Sequence, residues 1–410
     1  MTNDAGILQL MDDLGNALAG VAPIAMFGGG NPAQIPDVTK IYGRELKTIC
    51  EDPARLATML GNYDTPQGNA EFITAVTEFL NRHYHLDITT ANIAITPGSQ
   101  TGYFMLFNIL AGRTGERRRK ILFPLVPEYI GYVDQGLEIG MFESRRPIIQ
   151  KISEREFKYA IDFDALELGE DIAAVCISRP TNPTGNVVTD GELERLGHIT
   201  RERDMLMLID NAYGAPFPNV IVPETKLFWN DHTVLSMTLS KVGLPGSRVG
   251  IFVGPPKLMK ALTSANAIVS LASPNFGQYL AKPLIQSDEV LSLSRESICP
   301  FYFERADRAR KLMNKHFPSH LPWRLHRYEG SYFFWLWLEG SRLSGMQLYD
   351  WLKERGVIVV PGEYFFPGQD IHTWAHGREC LRLNFSRSDD ELEKGIPILA
   401  EAIEKAYAAG

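Results

Sequence analysis

Read from its start, the chain first shows apolar residues at helical spacing. Ile7, Leu10, Met11, Leu14 and Leu18 predict an opening amphipathic helix. Residues 22–36 are then rich in glycine and proline and contain Phe27-Gly28-Gly29-Gly30-Asn31-Pro32, which predicts a loop with unusual backbone angles. From about residue 45 to 290 short apolar runs recur at 93–95, 121–123, 173–177, 205–209, 234–237 and 249–253. Stretches of mixed polarity, such as 100–111 and 190–203, separate most of them. Strands alternating with helices predict an α/β fold with a mostly parallel sheet. Several runs stop directly on polar residues: Thr96-Pro97-Gly98-Ser99, Ser178-Arg179-Pro180 and Asp210-Asn211. Open parallel sheets bind ligands at the carboxyl ends of their strands.

Beyond Pro300 the pattern changes. A charged helix (301–316), strands at 328–338, 357–360 and 380–385, a helix at 347–355 and a closing helix predict an α+β region. Residues 45–295 are therefore expected to form a large domain, and 1–44 with 296–410 a smaller one. The chain shows neither an internal repeat nor a low-complexity tract.

Length and composition agree. The chain has 410 residues, 45% hydrophobic and 22% charged, enough to bury a large core without disulfide staples. The net charge of −8 argues against nucleic acid or an anionic membrane as the main partner. The one basic run, Arg117 to Lys120, reads as a solvated loop. Cys50, Cys176, Cys299 and Cys380 have no metal-ligand spacing, and a cytoplasmic location fits them best. The N-terminus has no basic and apolar leader pattern. The longest apolar run, 332–338, is too short for a bilayer and reads as a buried strand. His316 with His320, and His372 with His376, are i,i+4 pairs without further ligands, so no metal is expected.

Four segments carry candidate chemistry. Lys241 follows an apolar strand within Thr238-Leu239-Ser240-Lys241, and Arg248 lies seven residues on. A lysine made nucleophilic by burial and nearby positive charge can form a Schiff base, and the hydroxyls with Arg248 can hold a phosphate. A lysine snorkelling at a strand end is the alternative. Asp210 ends a wholly apolar strand, where a carboxylate needs a partner such as a protonated pyridine nitrogen, with Tyr213 three residues on. A helix cap is the alternative there. Asn182 stands between Pro180 and Pro183, where an amide can meet a phenolate oxygen or simply sit in a turn. Gly98-Ser99-Gln100 opens a helix, a position that suits phosphate or an ordinary Ser cap.

The order of Gly-Ser-Gln, Asn-Pro-x-Gly, Asp-x-x-Tyr and Ser-Lys…Arg resembles the fold-type I pyridoxal-phosphate (PLP) aminotransferases of the aspartate aminotransferase superfamily. The likeness covers essentially the whole chain. It is strongest to the bacterial branch that exchanges amino groups between valine and pyruvate, through residues 27–36, 62–64, 66–68, 127–132, 178–186, 210–218 and 239–248. The resemblance implies that Lys241 binds PLP and moves the proton at the substrate α-carbon. It implies Asp210 on the pyridinium and Asn182 with Tyr213 at the ring oxygen. Ser99, Gln100, Thr238 or Ser240, and Arg248 are the implied phosphate ligands, with Tyr129 stacked on the ring. Tyr63 is implied to reach the phosphate of a second subunit in a homodimer. Arg382 would clamp the substrate carboxylate, and Gly29, Gly30 and Asn182 would border the substrate. The step from Lys241 to Arg248 is one residue shorter than is usual in the superfamily. The implied reaction takes L-valine and pyruvate to 3-methyl-2-oxobutanoate and L-alanine. A carbon–sulfur lyase would use the same lysine. An aminotransferase-like sensor of a transcription regulator would need a DNA-binding segment, and the stretch before Phe27 is too short and acidic for one.

Overall fold

In a computed structural model of the chain, residues 25–132 and 134–408 are described, with Leu8 and Asp12 as isolated positions before them. The helix expected from Ile7 to Leu18 thus falls outside the described residues, those two apart.

The central layer is an eight-stranded sheet. Its order is Ile93–Thr96, Gly250–Val253, Thr233–Thr238, Leu206–Asp210, Ile172–Ser178 and Arg117–Phe123, with Phe142–Ser144 and Gly112–Thr114 both pairing the last. Among these, Gly250–Val253 and Gly112–Thr114 run against the rest. The central strands are buried on both faces, as their unbroken apolar sequences require; Ile172–Ser178 is buried at every position. Crossover helices cover the sheet. Asp190–Glu202 starts where Thr189 and Glu192 form a reciprocal capping box, which fixes its entry after the 178–186 turn.

Register sets the site. Ser178 and Ser236 are both paired with Asp210, so three neighbouring parallel strands end in a polar row. The row lies at the carboxyl ends, where the chain leaves the sheet into loops.

A second, six-stranded sheet runs Val360–Pro361, Cys380–Asn384, Phe333–Leu338, Trp323–His326, Glu156–Ala160 and Ile148–Lys151. Two of its strands come from residues 148–160, inside the span expected to belong wholly to the large domain. Alternating burial along Glu156–Ala160 explains why: Phe157 packs on His326 and Trp337, and Tyr159 on His326, against the second sheet. The expected strand at 328–338 begins only at Phe333, because Gly330 and Ser331 (φ 65°) make a turn. The stretch 357–360 splits, with Val357–Ile358 pairing Ala25–Met26. The basic run is not a loop. Arg117 to Lys120 prolong a strand beyond the core into a solvent-facing hairpin, and Lys120 pairs with Glu143 (3.0 Å) and Asp171 (2.7 Å).

Candidate active site

A cavity of about 620 Å³ opens at the polar row. Lys241 reaches it because the Thr233–Thr238 strand passes into a 3-10 turn, Leu239–Val242, closed by Gly243 at φ 102°. A Cβ on Gly243 would stand 2.3 Å from Val38 Cγ1, so the turn requires glycine. Lys241 Nζ donates to the Gly30 carbonyl at 2.9 Å and lies 5.2 Å from the centre of the Tyr213 ring. Burial, with Arg382 and Arg248 nearby, lowers its pKa to about 8, against the opposing pull of Asp210.

Asp210 is held on both oxygens. Tyr132 Oη donates to Oδ2 at 2.5 Å, while the Ala212 N–H (3.0 Å) and Ser236 Oγ (3.4 Å) donate to Oδ1. Burial raises its pKa despite these donors. Tyr213 is buried with its ring edge-on to Tyr332 at 5.0 Å. Asn182 Oδ1 accepts from Arg382 Nη1 at 2.9 Å, which leaves its NH2 group as a donor.

Arg382 is 1% exposed, and among the described residues no carboxylate pairs with it. Its Nη2 donates to the Gly28 carbonyl at 2.6 Å, its Nε has no partner, and burial lowers its pKa to about 10. A buried cation without a counter-ion is a prepared anion site. The neighbouring Asn384 Nδ2 donates to the Gly29 carbonyl at 2.6 Å, so Arg382, Asn384 and Lys241 hold three successive carbonyls of the glycine segment. Gly30 lines the cavity, whereas Gly29 does not.

The opposite group of donors surrounds the start of the Ser99–Leu110 helix. Its N-cap is Gly98, without a side-chain cap, and Ser99 Oγ donates to the Met237 carbonyl at 3.1 Å. The first-turn N–H groups are therefore left for an anion. The Arg248 guanidinium lies across Gly98, where a Cβ would stand 2.2 Å from Nη2. Arg248 itself adopts φ 51°, a left-handed conformation, and its side chain lines the cavity. Thr238 Oγ1 is bound to Ser240 Oγ and the Val249 carbonyl, both at 3.1 Å. Tyr129 Oη donates to Gln100 Oε1 at 2.9 Å, placing the Tyr129 ring beside this group.

The structure thus brings together every expected site residue except Gly29 and Tyr63. Tyr63 lies outside the cavity and is 83% exposed. Sequence reasoning missed Tyr132 and Asn384. Tyr132 had a usable signal, since it follows Tyr129 by one turn, but nothing in the sequence said that it meets Asp210.

These residues fit PLP. They offer a buried amine of depressed pKa, a buried carboxylate for the ring nitrogen, and a guanidinium with uncapped helix N–H groups for phosphate. A second guanidinium, without a carboxylate partner among the described residues, is left for a substrate carboxylate. Fold and site together define a PLP-dependent enzyme of fold type I.

The family described as aminotransferase class I and II matches residues 36–399, and the chain belongs to it. It is 44% identical over 408 residues, covering 99% of this chain and 97% of the relative, to valine–pyruvate aminotransferase of Escherichia coli K12. A putative amino-acid aminotransferase of Psychrobacter arcticum has a solved structure that superposes with a TM-score of 0.95 at 41% identity, covering 98% of this chain and 96% of that one. The crystal structure of valine–pyruvate aminotransferase from Salmonella typhimurium LT2 gives 0.89 at 41% identity, covering 98% and 100%.

Proposed function

We propose that this enzyme transfers an amino group between L-valine, or a similar small apolar amino acid, and pyruvate, giving 3-methyl-2-oxobutanoate and L-alanine. The observation that carries the reading is Arg382: a buried, forked cation without a carboxylate partner, at the cavity wall shared with Lys241. The lining offers one other guanidinium, Arg248, at the helix end. With Arg248 on phosphate, Arg382 on the α-carboxylate and Lys241 on the cofactor, no further cation among the described residues of this lining remains for a side-chain carboxylate. That favours apolar substrates over aspartate or glutamate.

When bound, PLP supplies an electrophilic carbonyl and an electron sink. Lys241, with its lowered pKa, acts first as a neutral amine nucleophile and then takes and returns the proton at the substrate α-carbon. Asp210 holds the positive charge of the ring nitrogen. Asn182 and Tyr213 would donate to the ring oxygen, with Tyr129 beside the ring. Ser99, Gln100, Thr238, Ser240 and Arg248 hold the phosphate. Gly30, at the cavity wall, lets the substrate approach the backbone.

The working form is a homodimer. Leu60, Tyr63, Ile268, Val269 and Leu271 are 71%, 83%, 86%, 59% and 56% exposed. Hydrogen bonds from Asn266 to the Pro66 carbonyl and from Asn275 to the Asn62 carbonyl hold their two segments together. An apolar patch of this kind suits a second copy, with Tyr63 reaching that copy's phosphate. A large domain (45–295) and a small one (1–44 with 296–410) frame the site, the 148–160 hairpin extending the small domain's sheet. All four cysteines are free, which supports a cytoplasmic location.

The test is stoichiometry. Incubated with L-valine and pyruvate, the enzyme is expected to form alanine and 3-methyl-2-oxobutanoate in equal amounts. Release of ammonia from an amino acid in the absence of any 2-oxo acid would overturn the reading in favour of a lyase.

A further inference from the structure

We propose that Tyr132 is a positioning residue that keeps Asp210 anionic, so that the shared proton stays on the cofactor ring nitrogen. The proposal rests on the placement of Asp210 argued above and extends it to a residue with no role so far.

The geometry carries it. Tyr132 Oη makes the shortest of the three hydrogen bonds to Asp210, 2.5 Å, and makes it alone on Oδ2. The other oxygen takes two longer bonds, and one of its donors, Ser236 Oγ, is shared with Tyr103 Oη at 2.9 Å. The Tyr132 ring cannot swing away. It is fully buried, stacks on Phe123 (5.8 Å, 10°), and meets Phe107 (5.4 Å, 84°) and Tyr129 (5.3 Å, 85°) edge-on. One tight turn sets both tyrosines, since the Tyr132 N–H donates to the Tyr129 carbonyl at 3.0 Å. Gly131 makes room for it: a Cβ there would stand 2.3 Å from the Tyr129 ring.

The chemistry follows from burial. A buried carboxylate and a pyridine nitrogen share one proton, and low polarity favours the neutral pair with that proton on the acid. Each donor to the carboxylate stabilises its charged form and moves the balance towards pyridinium, which is the form that withdraws electrons. The strongest donor therefore contributes most. Losing a hydrogen bond to a charged group is expected to raise the proton affinity of Asp210 by about ten- to a hundredfold.

Tyr132→Phe keeps every ring contact and removes only the hydroxyl. The decisive readout is the nitrogen-15 resonance of ring-labelled PLP bound to the protein. Wild type is expected to give a pyridinium-like shift, Tyr132→Phe a shift towards neutral pyridine, and Ser236→Ala a smaller move in the same direction. In steady state, Tyr132→Phe should lower kcat about ten- to a hundredfold with KM changed less than about threefold. A nitrogen shift and kcat unchanged in Tyr132→Phe would make Tyr132 a packing residue and overturn the proposal. Infrared spectra of the cofactor-free protein, with Asp210→Asn subtracted to isolate that carboxyl band, separate this from failure of the site assignment. A protonation midpoint raised by Tyr132→Phe supports the proposal whether or not PLP binds, and an unmoved midpoint overturns it.

Discussion

Arg382→Lys tests the substrate end of the site. The native guanidinium is buried between Phe333 (4.3 Å to the ring centre) and Phe365 (5.3 Å) and is already tied to Asn182 and Gly28. Its unpartnered Nε and the remaining η protons can still form a two-point contact with a carboxylate. A lysine keeps the charge but not the fork, and its three protons would be drawn to the two protein acceptors the arginine vacates. The loss is thus at least one charge-assisted hydrogen bond, each about 1.5–3 kcal/mol. Taking about 3 kcal/mol, kcat/KM for L-alanine should fall roughly 100- to 200-fold. The assay is the single-turnover half-reaction with L-alanine and no acceptor, followed by cofactor absorbance. Affinity for PLP should change far less, because Arg382 contacts none of the groups around Ser99 and Arg248 and touches the cofactor site only through Asn182, whose Oδ1 the lysine can still engage. A kcat/KM within about threefold of wild type would refute the reasoning, and so would an equal loss of PLP affinity.

Three further outcomes are expected. Lys241, its pKa lowered from 10.5 to about 8, should react with an aldehyde probe in the cofactor-free protein at a rate that rises up to about pH 8 and then levels off; a rate still climbing at pH 10 would show an unperturbed lysine. Gly30 has nothing within 4 Å of a would-be Cβ and lines the cavity, so Gly30→Val should fold and raise KM for L-valine at least about fivefold more than for L-alanine; equal changes would place the substrate side chain elsewhere. Glu128 is fully buried and accepts from Ser178 N (2.7 Å), Ser178 Oγ (2.6 Å) and Tyr129 N (3.2 Å), yet burial lifts its pKa from 4.5 to about 8. A raised folded-state pKa gives stability that is complete below about pH 4.5 and is lost as pH rises through about 8. Glu128→Gln, which cannot ionise, should therefore melt close to wild type at about pH 4.5 and gain on it steadily as pH rises to about 8, and a gap that widens against the variant with pH would contradict this.

Much of this site was legible in the sequence because parallel sheets present strand ends in a fixed place. Ser178, Asp210, Thr238 and Lys241 each follow an apolar run, and period alone puts them at one edge. What the sequence could not supply was side-to-side register. That Ser178 and Ser236 flank Asp210 depends on pairing between strands separated by whole helices. The same limit hid Tyr132, whose partner lies 78 positions away, and Asn384, whose partner lies 355 away. The 148–160 hairpin was missed for another reason. Ile148–Lys151 is largely exposed, so its apolar signal is weak, and only Glu156–Ala160 alternates cleanly. The basic run misled because charge usually marks a loop, whereas here a buried strand simply continues into solvent.

The central claim is that Lys241 binds PLP and that amino groups pass through it to a 2-oxo acid. One absorbance titration of the PLP-loaded protein tests it most directly. Addition of L-valine alone should abolish the visible band of the lysine-bound cofactor in favour of a near-ultraviolet one, and pyruvate should then restore it. Lys241→Ala should lack the starting band. A visible band that survives in Lys241→Ala, or one that L-valine bleaches and pyruvate does not bring back, would contradict the account.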